Sequence, residues 1–78
     1  MSFKEIYPYF VAGAPIKREG WGGFWRYDIQ GIRMYLQDGE VMNIEESPNM
    51  ISTLSHTVID DWEIATRDNC SIEAGEYI

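Results

Sequence analysis

The sequence predicts an α+β fold: one N-terminal amphipathic helix packed on a small antiparallel sheet of about four strands. Three observations carry this. Apolar residues recur at helical spacing near the N-terminus. From Pro15 onward the apolar pattern changes to a period of two. An Asp-Gly pair, Asp38-Gly39, sits between two alternating runs and marks a hairpin.

The helix comes first. Ser2 and Glu5 have the spacing of a capping box, in which each side chain satisfies the other's orphan N–H. Phe3, Ile6, Tyr7, Phe10 and Val11 follow at i, i+3, i+4, i+7 and i+8, one apolar face. Pro8 is expected to loosen the middle turn, and Gly13 and Pro15 to end the helix. Pro15 to Glu19 reads as a short strand, followed by the glycine-rich turn Gly20-Trp21-Gly22-Gly23. Phe24 to Gln30 alternates, with Trp25, Tyr27 and Ile29 on one face and Arg26, Asp28 and Gln30 on a polar one. Gly31 allows a bend, and Ile32, Met34 and Leu36 then alternate with Arg33, Tyr35 and Gln37.

Asp38-Gly39 is read as a two-residue turn with positive φ at both residues. That register sets Leu36 against Val41 and Tyr35 against Met42 on a partner strand from Glu40 to Ile44. Glu45 to Asn49 is a loop punctuated by Pro48, Met50 to Val58 a short helix or turn, and Asp61 to Ala65 a last strand with Trp62 and Ile64 inside. Residues 66–78 read as an acidic tail, loose until something pins it. The chain is thus expected as one domain, 1–78, with its core in about residues 3–65.

At 78 residues, the chain buries only about 60 % of its unfolded surface, so its core is marginal. Cys70 is the only cysteine and His56 the only histidine. Disulfides are excluded, a closed metal site is not expected, and self-association is the remaining support. Three Trp, three Phe and five Tyr are too many for so small a core, so some belong to a pocket or an interface. No signal peptide or membrane-length apolar run is visible. A lone unpaired cysteine suits a reducing cytoplasm.

The net charge of −7 argues against binding a long nucleic acid. Yet Lys17, Arg18, Arg26 and Arg33 are four of the six basic residues, and none follows from Met34 to Thr66. A local positive spot on a negative protein suits a small anion.

No catalytic set assembles. Ser55-His56 is not a nucleophile turn, and Asp60-Asp61 on a strand would face opposite ways. His56 reads as a polar loop residue, and the glycines fit neither phosphate-binding fingerprint. What the chain does carry is KREGWGGFWR, residues 17–26: three large aromatics and three cations around glycines. Aromatic faces stack on bases, arginine forks grip phosphate, and glycines open backbone N–H groups to phosphate oxygens. The same aromatics could equally be core anchors or a protein-binding hot spot.

Ala12-Gly13 after a helix, then Arg18-Glu19-Gly20-Trp21, the hairpin at Asp38-Gly39, and Asp60-Asp61-Trp62-Glu63 form an ordered set. Over about residues 3 to 65 this resembles the second type of Thoeris anti-defence protein, a small phage and prophage family. The resemblance implies a homo-oligomer, commonly a tetramer. It would act in the cytoplasm of the infected bacterium, sequestering cyclic nucleotide immune signals without cutting them. Such signals include glycocyclic ADP-ribose and, for some members, CBASS-type cyclic di- and trinucleotides. No cofactor and no metal is implied. Where the family carries Pro-Trp, this chain has Asn43-Ile44, so Trp25 or Phe24 would substitute for that ring or the ligand would differ.

On this reading Trp21, Phe24 and Trp25 stack on the ligand, Arg18 and Arg26 hold phosphates with Lys17 beside them, and Asp61 accepts from ribose hydroxyls. Trp62 is core. Trp25 and Arg26 face opposite sides of a strand, so both reach one ligand only if the pocket lies between subunits. Outcompeting a host sensor requires nanomolar affinity, about −12 kcal/mol, which favours an oligomer over a monomer. The alternative is an acidic interaction protein that inhibits a host protein directly.

Overall fold

The structure is a computed structural model, and it describes residues 1–47 and 50–78. The loop expected from Glu45 to Asn49 therefore ends, at Pro48 and Asn49, outside the described residues.

The chain runs helix α1 (Phe3–Val11), strands β1 (Ile16–Arg18), β2 (Phe24–Asp28), β3 (Gly31–Tyr35) and β4 (Val41–Asn43), helix α2 (Met50–Leu54), strand β5 (Trp62–Ile64) and a short helix α3 (Ile72–Gly75). Ile44–Glu46 and Ser55–Val58 are 3₁₀ turns. The five strands are antiparallel in the order β4-β3-β2-β1-β5. No helix among the described residues is long and apolar enough to cross a membrane.

Helix α1 begins with the expected capping box: Ser2 Oγ accepts from the Glu5 N–H, and Glu5 Oε1 accepts from the Ser2 N–H. It ends at Gly13, whose φ of 102° only glycine takes readily. Gly13 N–H donates to Phe10 O and Ala14 N–H to Tyr9 O, the paired bonds of a Schellman cap.

One sheet face carries Ile16, Trp25, Met34 and Trp62 and receives Ile6 and Phe10 from α1, with Ile44 completing the cluster. The expected alternation holds for Trp25, which is buried. Tyr27 is half-exposed and Ile29 lies fully exposed in the β2–β3 turn.

Two expectations change in the structure. The β3–β4 register is shifted by one: Met34 faces Met42 and Tyr35 faces Val41. The connection has three residues, Gln37 to Gly39, because Leu36 pairs with Glu40. Only Gly39 has positive φ, at 90°, and the Asp38 carboxylate accepts from the Glu40 N–H. A one-residue shift exchanges faces, and here it sets Met42 beside Met34 on the α1 side.

The second change concerns the opposite face. Phe24 and Tyr35 stack there at 4.6 Å, 11° from parallel, so it is not purely polar. Residues beyond 65 cover them. Ala65 and Ala74 are buried against this pair, with Cys70 alongside. Ser71 N–H donates to Gly22 O, Ser71 Oγ to Gln37 O, and Tyr77 Oη to Gly39 O. The segment expected to stay loose is thus pinned, and what pins it is the apolar ring pair that the strand alternation exposes.

Candidate functional site

A cleft of about 450 Å³ opens on the sheet face that carries Trp25 and Met34. Its floor is Trp25, Met34 and Met42. The Gly20–Gly23 turn with Trp21 forms one wall, and Ser47, Thr53 and His56 form the other. Leu36 and Gln37 close the end nearest the hairpin loop.

The turn that presents Trp21 has a specific local cause. Trp21 N–H donates to Arg18 O, and Gly20 has φ of 87° at the third position. That is a type II turn, which requires positive φ there. Gly22 and Gly23 are required by packing. A Cβ on Gly23 would lie 2.1 Å from the Tyr35 carbonyl oxygen, and one on Gly22 would meet the Gln37 side chain at 2.8 Å. The glycines let this turn lie flat against the β3–β4 hairpin.

Trp21 is half-buried in an aromatic cluster. Its ring meets Trp25 at 5.6 Å, Trp62 at 5.4 Å and the His56 imidazole at 5.1 Å, the last edge-on at 88°. Trp62 is buried, as expected for a core residue. Its Nε1–H donates to the His56 carbonyl at 3.1 Å, which ties the 3₁₀ turn down onto the sheet.

Arg18 lies at the edge of this cluster, on the same sheet face as Trp25. Its Nε–H donates to Asp61 Oδ1 at 2.7 Å and its Nη2–H to Asp61 Oδ2 at 3.2 Å. Its Nη1 lies 2.7 Å from His56 Nδ1. The hydrogen bonds from Arg18 hold the Asp61 carboxyl below the usual aspartate range, and those to Asp61 push the guanidinium above its own.

The six residues predicted for the site therefore divide between two faces. Trp21, Trp25, Arg18 and Asp61 converge at the cleft or its edge. Phe24 also lines one part of the cleft, but its ring stacks on Tyr35 on the far side of the sheet, where Arg26 lies too, because adjacent strand residues point opposite ways. There Phe24 is buried, and the Arg26 guanidinium sits 5.5 Å from the Phe24 ring and 5.8 Å from the Tyr35 ring. Arg26 Nη1 also donates to Tyr77 O at 3.2 Å. Lys17 is on this far side too, only 1 % exposed, with Nζ 3.4 Å from Glu63 Oε2.

His56 belongs to the cleft, and nothing local in the sequence signals it. Its partners Arg18 and Trp62 reach it from β1 and β5. Asp60 is exposed while Asp61 turns to Arg18, so the two carboxylates do not share a site. Among the described residues, no three His, Cys, Asp or Glu side chains gather where a metal could be held. Burial pushes the Cys70 thiol above its ordinary range, away from the reactive thiolate.

Compared with protein-family models, curated proteins and solved structures, the chain matches none.

Proposed function

We propose that this protein is a sponge: it binds a cyclic nucleotide immune signal, of the glycocyclic ADP-ribose or CBASS type, and holds it intact. The observation that carries this reading is the Trp21 cleft. It is concave, floored by apolar side chains and rimmed by a few polar ones. Its volume of about 450 Å³ lies within the roughly 300–1,000 Å³ typical of small-molecule sites. One base with its ribose suits that space, stacked on Trp21. Phosphate would accept from the Arg18 N–H groups beyond the three directed at Asp61 and His56.

Arg26 lies across the sheet from the cleft, so one copy cannot bring both arginines to one ligand. We therefore keep the pocket between subunits of a homo-oligomer, a tetramer on the resemblance drawn above. An interface would also enclose a cleft that one copy leaves open. Phe24 lines the cleft with its ring already stacked on Tyr35, and Trp25 supplies the floor.

The test is to mix purified protein with glycocyclic ADP-ribose isomers and cyclic di- and trinucleotides, retain it on a filter, denature it by heat and identify what is released. Intact ligand supports sequestration. Cleaved ligand identifies an enzyme. No depletion of any compound overturns the sponge and turns attention to a host protein bound by the acidic surface.

A further inference from the structure

We infer that His56 is the hydrogen-bond donor that selects the ligand in the Trp21 cleft, held in a single tautomer by Arg18. The inference rests on the cleft being a ligand site, and it adds a residue and a chemical preference to that site.

The tautomer follows from donor and acceptor chemistry. A guanidinium has N–H donors, no acceptor, and does not lose its proton in proteins. With Arg18 Nη1 at 2.7 Å, His56 Nδ1 has to accept. An accepting Nδ1 carries no proton, so the imidazole is neutral and its proton sits on Nε2. Asp61 fixes the geometry by gripping Arg18 through both oxygens, which leaves Nη1 for His56.

The ring is held on other sides as well. Trp21 packs edge-on against it, and Trp62 Nε1–H holds the His56 carbonyl. The residue lines the cleft, and the contact to Arg18 is made by Nδ1, which leaves Nε2 for a ligand. An oriented N–H beside an indole wall fits a flat ring whose edge presents an acceptor. A nucleobase carbonyl or ring nitrogen has that character. The ligand class is therefore one with a base-edge acceptor next to the stacked face.

The experiment has two readouts. His56 is the sole histidine, so a long-range ¹H–¹⁵N spectrum of the labelled, ligand-free protein at neutral pH reports its tautomer directly. The expected result is a proton on Nε2 alone. A proton on Nδ1, or on both nitrogens, overturns the inference whatever the protein binds.

The second readout is equilibrium dialysis with glycocyclic ADP-ribose and 3′,3′-cyclic GMP–AMP as probes. His56→Phe keeps a ring and removes the donor, and is expected to lose about tenfold or more in affinity. His56→Gln places an amide N–H close to the Nε2 position and is expected to retain most of it. Wild-type affinity in a folded His56→Phe variant overturns the inference while leaving the sponge standing. Failure of the wild type to bind either probe overturns the ligand role of His56 together with the sponge reading for these compounds, and the tautomer spectrum still decides the geometry separately.

Discussion

Arg18 and Asp61, 43 residues apart in sequence, form a two-pronged ion pair with N···O distances of 2.7 and 3.2 Å. The pair joins β1 to the start of β5 and holds His56 at the mouth of the cleft. Its pH dependence has a definite sign. Arg18 lowers the folded-state pKa of Asp61, so the contribution is present above the unfolded aspartate value, about 3.9, and is lost as pH falls through the depressed folded value. The urea midpoint should therefore fall as pH drops below about 4, and Asp61→Asn should flatten that fall. An unchanged acid limb in Asp61→Asn would show that other carboxylates govern it.

Trp21 and Trp25 should separate cleanly. Trp21 is half-buried and lines the cleft, so Trp21→Ala should remove ligand binding and leave a cooperative unfolding transition. Trp25 is 4 % exposed at the centre of the core. Trp25→Ala should cost about 3–5 kcal/mol, enough to unfold a domain of this size. Parallel denaturation and dialysis check both. Arg18→Ala is a poorer ligand test than Trp21→Ala, because it also orphans Asp61 and frees His56.

Gly20 and Gly23 should fail for different reasons. At Gly20 a Cβ meets open space, but φ of 87° is strained for any L side chain. Gly20→Ala should cost about 1–2 kcal/mol. At Gly23 the Cβ meets the Tyr35 carbonyl oxygen at 2.1 Å, and neither backbone can yield without separating β2 from β3. Gly23→Ala should cost more, about 3 kcal/mol at the upper end of overpacking effects. Thermal midpoints of the two variants give the order, and a milder Gly23→Ala would refute the packing argument.

Lys17 is buried with one acidic partner, Glu63, which is itself about one-third exposed. Breaking such a pair from the acidic side leaves a buried ammonium uncompensated. Glu63→Gln should destabilise by about 1–3 kcal/mol. Lys17→Met removes the charge and keeps the volume, so it should cost less or stabilise. Chemical denaturation of the two single variants and the double variant would expose any other order.

Ser71 clasps the two loops at the cleft from behind. Its N–H holds Gly22 O, and its Oγ holds Gln37 O and caps α3 by accepting from the Ala74 N–H. Ser71→Ala should cost about 0.5–2 kcal/mol, the usual loss for an N-cap. Deleting residues 66–78 should bare Phe24 and Tyr35 and raise binding of a hydrophobic dye. Dye binding equal to that of the full chain would mean the rings stay covered without the segment.

Much of this was legible in the sequence because it depends on neighbours along the chain. The capping box needs only Ser2 and Glu5 three residues apart, and strand alternation needs only the period of two. The α+β class and the hairpin position followed. The register did not, since Asp38-Gly39 is compatible with both a two- and a three-residue connection, and cross-strand pairing selects between them. Of the candidate site, Trp21 was readable from its glycine turn, whereas His56 was not, because Arg18 and Trp62 reach it from distant strands.

The sequence by itself determined the helix, the approximate strands, the turn around Trp21 and the alternation of faces along each strand, though not the register that aligns β4 with β3. Those are local consequences of backbone sterics and apolar periodicity. Only the tertiary structure decided that Arg18 meets Asp61 and His56, that Arg26 lies away from the cleft, and that residues 66–78 cover the second face. Pairing between distant segments depends on which apolar surfaces remain exposed once the sheet has formed. Phe24 and Tyr35 remained exposed on one side and drew the C-terminal segment onto them, while part of the face that carries Trp25 and Met34 stayed open as the cleft.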